Sequence, residues 1–248
     1  MAPASQSSFS AVAPAWDALR RPLQILLQPS RRTPDGRIYL GQGQPVFLFP
    51  VPEAEVGVMA GLRRNLVDAG FEIHDCPGNR WPRGASLKHW VRELEERVID
   101  VFENARSSVS LLGWGLSGIY AREVAKRTNP LVRQVITLGT PFNAAADPQH
   151  GRELMRQLAI SDSASAIGIQ QRLRQCPPVP FTSLYSKADG VVPWELCLEK
   201  EAPEAENIEI EGATHAGLAD HPRALEIITH RLAQAEGEWR PFEAARLL

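Results

Sequence analysis

The chain has 248 residues, a formal net charge of −2 and 23% charged side chains. That length suits one large α/β domain or two small ones with a substantial core, and the near-neutral balance of mixed charges argues against nucleic acid or an anionic membrane as partner. Three widely spaced cysteines, Cys76, Cys176 and Cys197, form no CxxC pair, and no apolar run has the length of a transmembrane segment. Free thiols in a reducing compartment, and so a cytoplasmic protein, are the simplest expectation.

The first residues, MAPASQSSFSAVAPAW, carry neither a basic stretch nor a continuous apolar run. They read as a flexible tail over residues 1–20, with the folded domain over 21–248. PVFLFP (45–50) is short, apolar and bounded by prolines, as a buried strand is. VGVMAGLRRNLVDAG (56–70) has helical apolar spacing and closes on Gly70, and FEIHD (71–75) predicts the next strand. A strong helix follows over 86–105, with Ser86 as N-cap and Leu87, Trp90, Val91, Leu94, Val98, Ile99 and Phe102 along one face.

SVSLLG (108–113) predicts a strand and LSGIYAREVAKR (116–127) a helix. VRQVITLG (132–139), FTSLYS (181–186) and NIEIEG (207–212) are three further strands, and HPRALEIITHRLAQAE (221–236) is the closing helix. Strand and helix alternate, so the sheet should be mostly parallel with helices on both faces. Residues 143–178 break the alternation with helical sequence and are expected to form an inserted lid. A crossover helix with long loops is the other reading. The apolar Leu154, Leu158, Ile160, Ile167, Ile169 and Leu173 there would suit an acyl chain, or helices packed on the domain.

Three spaced motifs accompany this order: LLGWGLSGIYAR with the downstream VITLGTPF, then YSKADGVVPW, then GATHAGL. Together they resemble the α/β-hydrolase fold, and more narrowly its bacterial lipase- and esterase-like members, over roughly residues 40–240. The resemblance implies a single α/β domain and a catalytic triad in the chain order Ser, Asp, His. It puts the acid at Asp189 and the histidine at His215. No cofactor or metal is expected. His74, His89, His150, His221 and His230 have no metal-ligand spacing.

The nucleophile is the difficulty. Such hydrolases commonly read G-x-S-x-G-G. In one register Gly115 stands at the serine position; in the other Ser117 is the nucleophile, but the last glycine of the motif becomes Ile119. The first register also sets Ala121 and Arg122 six and seven residues after Gly115, as the family's Ala-Arg follows its serine. At roughly 100° per helical residue, Ser117 would point about 200° away from the direction of Gly115. Gly115 is therefore the expected vacated nucleophile position and Ser117 the less favoured nucleophile.

The oxyanion loop also departs from the family. Where a glycine-containing loop is usual, this chain has Pro50, Val51, Pro52 and Glu53, and Pro52 carries no N–H to donate. Trp114, Leu116, Val51 and Pro52 are the expected ligand-contacting residues, although Trp114 could equally pack in the core. These departures predict a hydrolase-fold protein without ordinary serine-esterase activity. It would be a non-hydrolytic enzyme or a ligand-binding pseudoenzyme for an apolar or acyl small molecule, with His215 and Asp189 as a residual base pair. The alternatives are an esterase working through Ser117 or an activated water, and a turn in which the His–Asp pair is only a relic.

Overall fold

Six short strands share one sheet in the order β2-β1-β3-β4-β5-β6, and every pairing is parallel. They are β1 (Pro45–Leu48), β2 (Glu72–Asp75), β3 (Val109–Trp114), β4 (Val132–Leu138), β5 (Phe181–Tyr185) and β6 (Ala205–Glu209). The computed structural model describes residues 41–51, 56–76, 87–158, 160, 163–200 and 202–242. The expected N-terminal tail, Ser86 and Pro52 lie outside the described residues.

Parallel strands need crossovers, and helices lie in those before β5: α1 (Val56–Asp68), α2 (Leu87–Ala105), α3 (Ser117–Arg127), and α4 (Pro148–Gln157) with α5 (Ser163–Arg174). Among the described residues the connection from β5 to β6 holds only the short 3-10 turn Trp194–Cys197, and α6 (Pro222–Ala233) follows the last strand. Alternation along each strand divides the core between the two faces. Phe47, Leu111, Val135 and Phe181 pack on the face that carries α2 and α3. Val46, Leu48, Leu112, Ile136 and Leu184 pack on the opposite face with α1 and α6. Each such side chain, fully buried, contributes about 1.5–3 kcal/mol.

The chain leaves β1 toward β2 and then returns to place β3 on the other side of β1. Open α/β sheets bind ligands at such a reversal, here at the carboxyl ends of β1 and β3. Most predicted elements fall within two residues of those observed. β6 is shifted: the ladder starts at Ala205, opposite Phe181, and the strand ends at Glu209. Its first residues, Ala-Glu-Asn, carry no apolar alternation because an edge strand is only half covered.

The 143–178 segment holds α4 and α5. Asp147 caps α4 by accepting from the N–H groups of Gln149 and His150. Leu154, Leu158 and Leu173 are buried, and Ile160 and Ile169 are partly buried, all within the core on the α3 side of the sheet. The side chain of Ile167 lies outside the described residues. α5 is fastened to α3 by polar contacts as well. Glu123 accepts from Arg172 at 2.6 Å and from Lys126 at 2.7 Å, and Lys126 also donates to the Arg172 carbonyl at 2.6 Å. Among the described residues, Leu154, Leu158 and Leu173 therefore face protein, and Ile160 and Ile169 do so in part.

Candidate active site

β3 ends at Trp114, the chain turns at Gly115, and α3 begins at Ser117. Gly115 has φ +56°, and its N–H donates to Leu138 at 2.8 Å. A non-glycine residue would hold that conformation at a cost of about 1–3 kcal/mol, which glycine largely escapes. A Cβ built on Gly115 would lie 3.3 Å from His215 Nε2 and 3.8 Å from Cε1. The side-chain direction of position 115 thus faces the imidazole.

Ser117 turns elsewhere. Its hydroxyl donates to the Trp114 carbonyl at 2.9 Å and accepts from the Trp114 N–H at 2.9 Å. The residue is 1% exposed. Ser117 staples the strand end to the first turn of α3, and both of its bonds would have to break before it could meet a substrate.

Asp189 and His215 come from separate loops. Asp189 follows β5 on a turn whose next residue, Gly190, has φ +73°, and His215 follows β6. Their main chains meet where the His215 N–H donates to the Asp189 carbonyl at 3.0 Å. Their side chains meet where Nδ1 lies 2.7 Å from Asp189 Oδ2. Asp189 Oδ1 accepts from the N–H groups of Val191 at 2.9 Å and Val192 at 2.6 Å. Burial pushes the Asp189 carboxyl upward, but the hydrogen bonds from His215 and these N–H groups outweigh it and hold the pKa below its ordinary value. An ionised carboxylate only accepts, so Nδ1 carries the proton and, in the neutral ring, Nε2 turns its lone pair toward Gly115.

Two further residues frame the pair, and sequence reasoning assigned neither contact. The Trp114 indole donates from Nε1 to the His215 carbonyl at 2.9 Å, and its ring lies 4.5 Å from the imidazole. Trp114 is buried with Val51 in the core that includes α1 and α6. Leu116 packs against the other core and is partly buried, which leaves it the more accessible of these three expected ligand contacts. Gly139, at the end of β4 with φ +54°, lies against the acid–histidine contact. A Cβ there would sit 3.0 Å from Asp189 Oδ2, His215 Nδ1 and Leu218 Cδ1. The LGTPF run marks this position in sequence, but its role depends on two loops that are distant in the chain.

Burial raises the Cys76 thiol to about 11 and the Cys176 thiol to about 12, and it pushes Cys197 up as well, so thiolate is scarce. Among the described residues no three His, Cys, Asp or Glu side chains converge as metal ligands. His150 pairs with Asp147 and His221 caps α6, both local structural roles.

The sheet order is that of the α/β-hydrolase fold. Solved structures of that fold superpose on the chain. An α/β hydrolase, MGS-MChE2, from the metagenome of Mar Chica lagoon sediments matches with TM-score 0.57 and 20% identity, covering 77% of this chain and 90% of that one. The monoacylglycerol lipase of Paleococcus ferrophilus matches with TM-score 0.54 and 15% identity, over 77% of this chain and 96% of that one. In sequence, the chain is similar to the pimeloyl-[acyl-carrier protein] methyl ester esterase of Klebsiella pneumoniae strain 342. That match is 27% identical over 210 residues, 62% of this chain and 80% of the relative. The corresponding esterase of Yersinia enterocolitica is 22% identical over 237 residues, 72% of this chain and 90% of the relative. No family model matches. Among the described residues no helix is long and apolar enough to cross a membrane.

Proposed function

We propose that this protein is an esterase-like α/β-hydrolase-fold protein that forms no acyl-enzyme, and that His215, backed by Asp189, is its general base toward an apolar, acyl-type small molecule. The observation that carries this reading is the facing of His215 Nε2 and Gly115, 3.3 Å from the position a Cβ would occupy. The base is oriented and polarised, but the residue opposite it has no oxygen to deprotonate. Removing a serine nucleophile can cost about 10⁶-fold in kcat, as in subtilisin. That is roughly 8 kcal/mol of transition-state stabilisation.

Ser117 does not replace it, because its hydroxyl is engaged at both ends by Trp114. The ester-cleaving relatives support an acyl ligand: those proteins are named for a methyl ester carried by an acyl-carrier protein. The three free cysteines, of which Cys76 and Cys197 are buried and Cys176 is partly so, favour the cytoplasm.

Fluorophosphonate labelling tests the reading. The wild type should take no serine adduct. The double variant Gly115→Ser, Ser117→Gly should be labelled at position 115 and should gain p-nitrophenyl esterase activity with a covalent burst. A serine adduct in the wild type would overturn the proposal.

A further inference from the structure

The general base needs a proton donor, and the surroundings of Gly115 suggest which one. Setting aside its chain neighbours Trp114 and Leu116, only His215 among the described residues comes within 4 Å of a Cβ built there. Apart from those two neighbours and His215, no other described side chain has moved within 4 Å of that Cβ position. The imidazole cannot easily swing away either, because Asp189 holds Nδ1 at 2.7 Å and Trp114 holds the His215 carbonyl at 2.9 Å.

We infer that the space in front of Gly115 is a subsite for one water molecule, which His215 deprotonates for direct attack on an activated acyl ester. This rests on the reading above and extends it to a reaction. The water gives a proton to Nε2 while its oxygen bonds to the acyl carbon. The carbonyl π electrons move to oxygen and form a tetrahedral oxyanion. When that collapses, the bond from carbon to the leaving oxygen or sulfur breaks, and the leaving group takes the proton back from Nε2. The products are a carboxylic acid and an alcohol or thiol. A positioned general base contributes about 10²–10⁴-fold, far less than a full triad. The substrate class is therefore esters with good leaving groups, such as aryl esters and thioesters.

The same geometry supplies the test. Gly115→Ala puts a methyl carbon 3.3 Å from Nε2, where the water would stand. Gly115→Ser imposes the same backbone strain at φ +56° and adds a nucleophile, so it controls for folding. With p-nitrophenyl butyrate, the wild type should show slow, burst-free hydrolysis. His215→Gln and Gly115→Ala should each lower it by about 10²-fold, while Gly115→Ser should raise it. Hydrolysis no faster than that of His215→Gln, or unchanged in Gly115→Ala, would overturn the water subsite. Either result, in a wild type that takes no fluorophosphonate, would leave the absence of an acyl-enzyme standing. A serine adduct in the wild type would overturn both.

Discussion

Trp114 holds His215 by two contacts, an indole N–H donated to the histidine carbonyl at 2.9 Å and a ring 4.5 Å from the imidazole. The residue before the turn thus fixes the loop after β6. Trp114→Phe keeps an aromatic ring, smaller than the indole, and loses the N–H. The lost hydrogen bond should lower stability by about 0.5–1.5 kcal/mol, with a further loss for the smaller buried ring. Trp114→Ala also removes the packing and should cost about 3–5 kcal/mol. Urea unfolding measures both. Equal losses would mean that the hydrogen bond, and not the ring, carries the contact.

A side chain at position 139 would be both strained and crowded. Its φ of +54° makes alanine cost about 1–3 kcal/mol in backbone strain. The added methyl would also press on Asp189 Oδ2 and His215 Nδ1, each 3.0 Å away. Gly139→Ala should therefore lower the urea midpoint and lengthen the Nδ1–carboxylate contact. The His215 ring Nδ1–H resonance, observed by NMR, should move upfield or vanish through exchange. An unchanged resonance in a destabilised variant would confine the role of Gly139 to the fold.

The alternation of strands and helices was legible because β1, β3, β4 and β5 are separate, largely apolar runs and the long helix α2 has one apolar face. The motif order was legible too, since Gly115, Asp189 and His215 each sit at a turn with its own glycine-marked signature. β6 was misplaced by two residues at its start because Ala205, Glu206 and Asn207 follow their partner strand and not an apolar alternation of their own. The grips of Trp114 and Gly139 on the His–Asp pair join residues from separate loops, and no local pattern in the chain encodes such a distance. For the 143–178 segment, composition could not separate an acyl-binding face from a packing face. Which side Leu154, Leu158 and Leu173 turn is decided by contacts with α3 and the turn after β4.

The Asp189 carboxyl links this site to pH. Its folded pKa is held below the ordinary 3.8, so the unfolded chain binds its proton first as pH falls. The stabilisation is fully present above about pH 4 and is lost as pH falls through the lower, folded value. Asp189→Asn removes the titration and weakens the bonds to His215, Val191 and Val192. The variant should be less stable at pH 7 by about 1.5–3 kcal/mol, the range for hydrogen bonds to a charged group. Its deficit should shrink below pH 4. A deficit constant between pH 7 and pH 3 would show that the carboxylate charge contributes nothing.

The same comparison of paired and unpaired charge applies behind α3. Arg122 is fully buried, with its guanidinium 3.8 Å from the Phe142 ring centre and 4.5 Å from that of Phe181. Burial lowers its pKa, and the Glu199 carboxylate at 2.9 Å acts in the opposite direction. Glu199→Gln leaves that cation without its counter-charge in a low-dielectric setting. The loss should be about 3–5 kcal/mol and nearly independent of salt. The pair Arg223 and Glu226 on α6 is more than a third exposed at both ends. Glu226→Gln should therefore cost about 0–1 kcal/mol, and less in high salt. Replacing both buried partners, Arg122→Met with Glu199→Leu, removes the stranded charge altogether. That double variant should be more stable than Glu199→Gln alone, because the cost of the single change comes from the unpaired cation and not from the missing attraction. Urea unfolding of the three variants at low and high salt decides it. A double variant as unstable as the single one would mean that Arg122 stabilises the fold through its packing on Phe142 and Phe181.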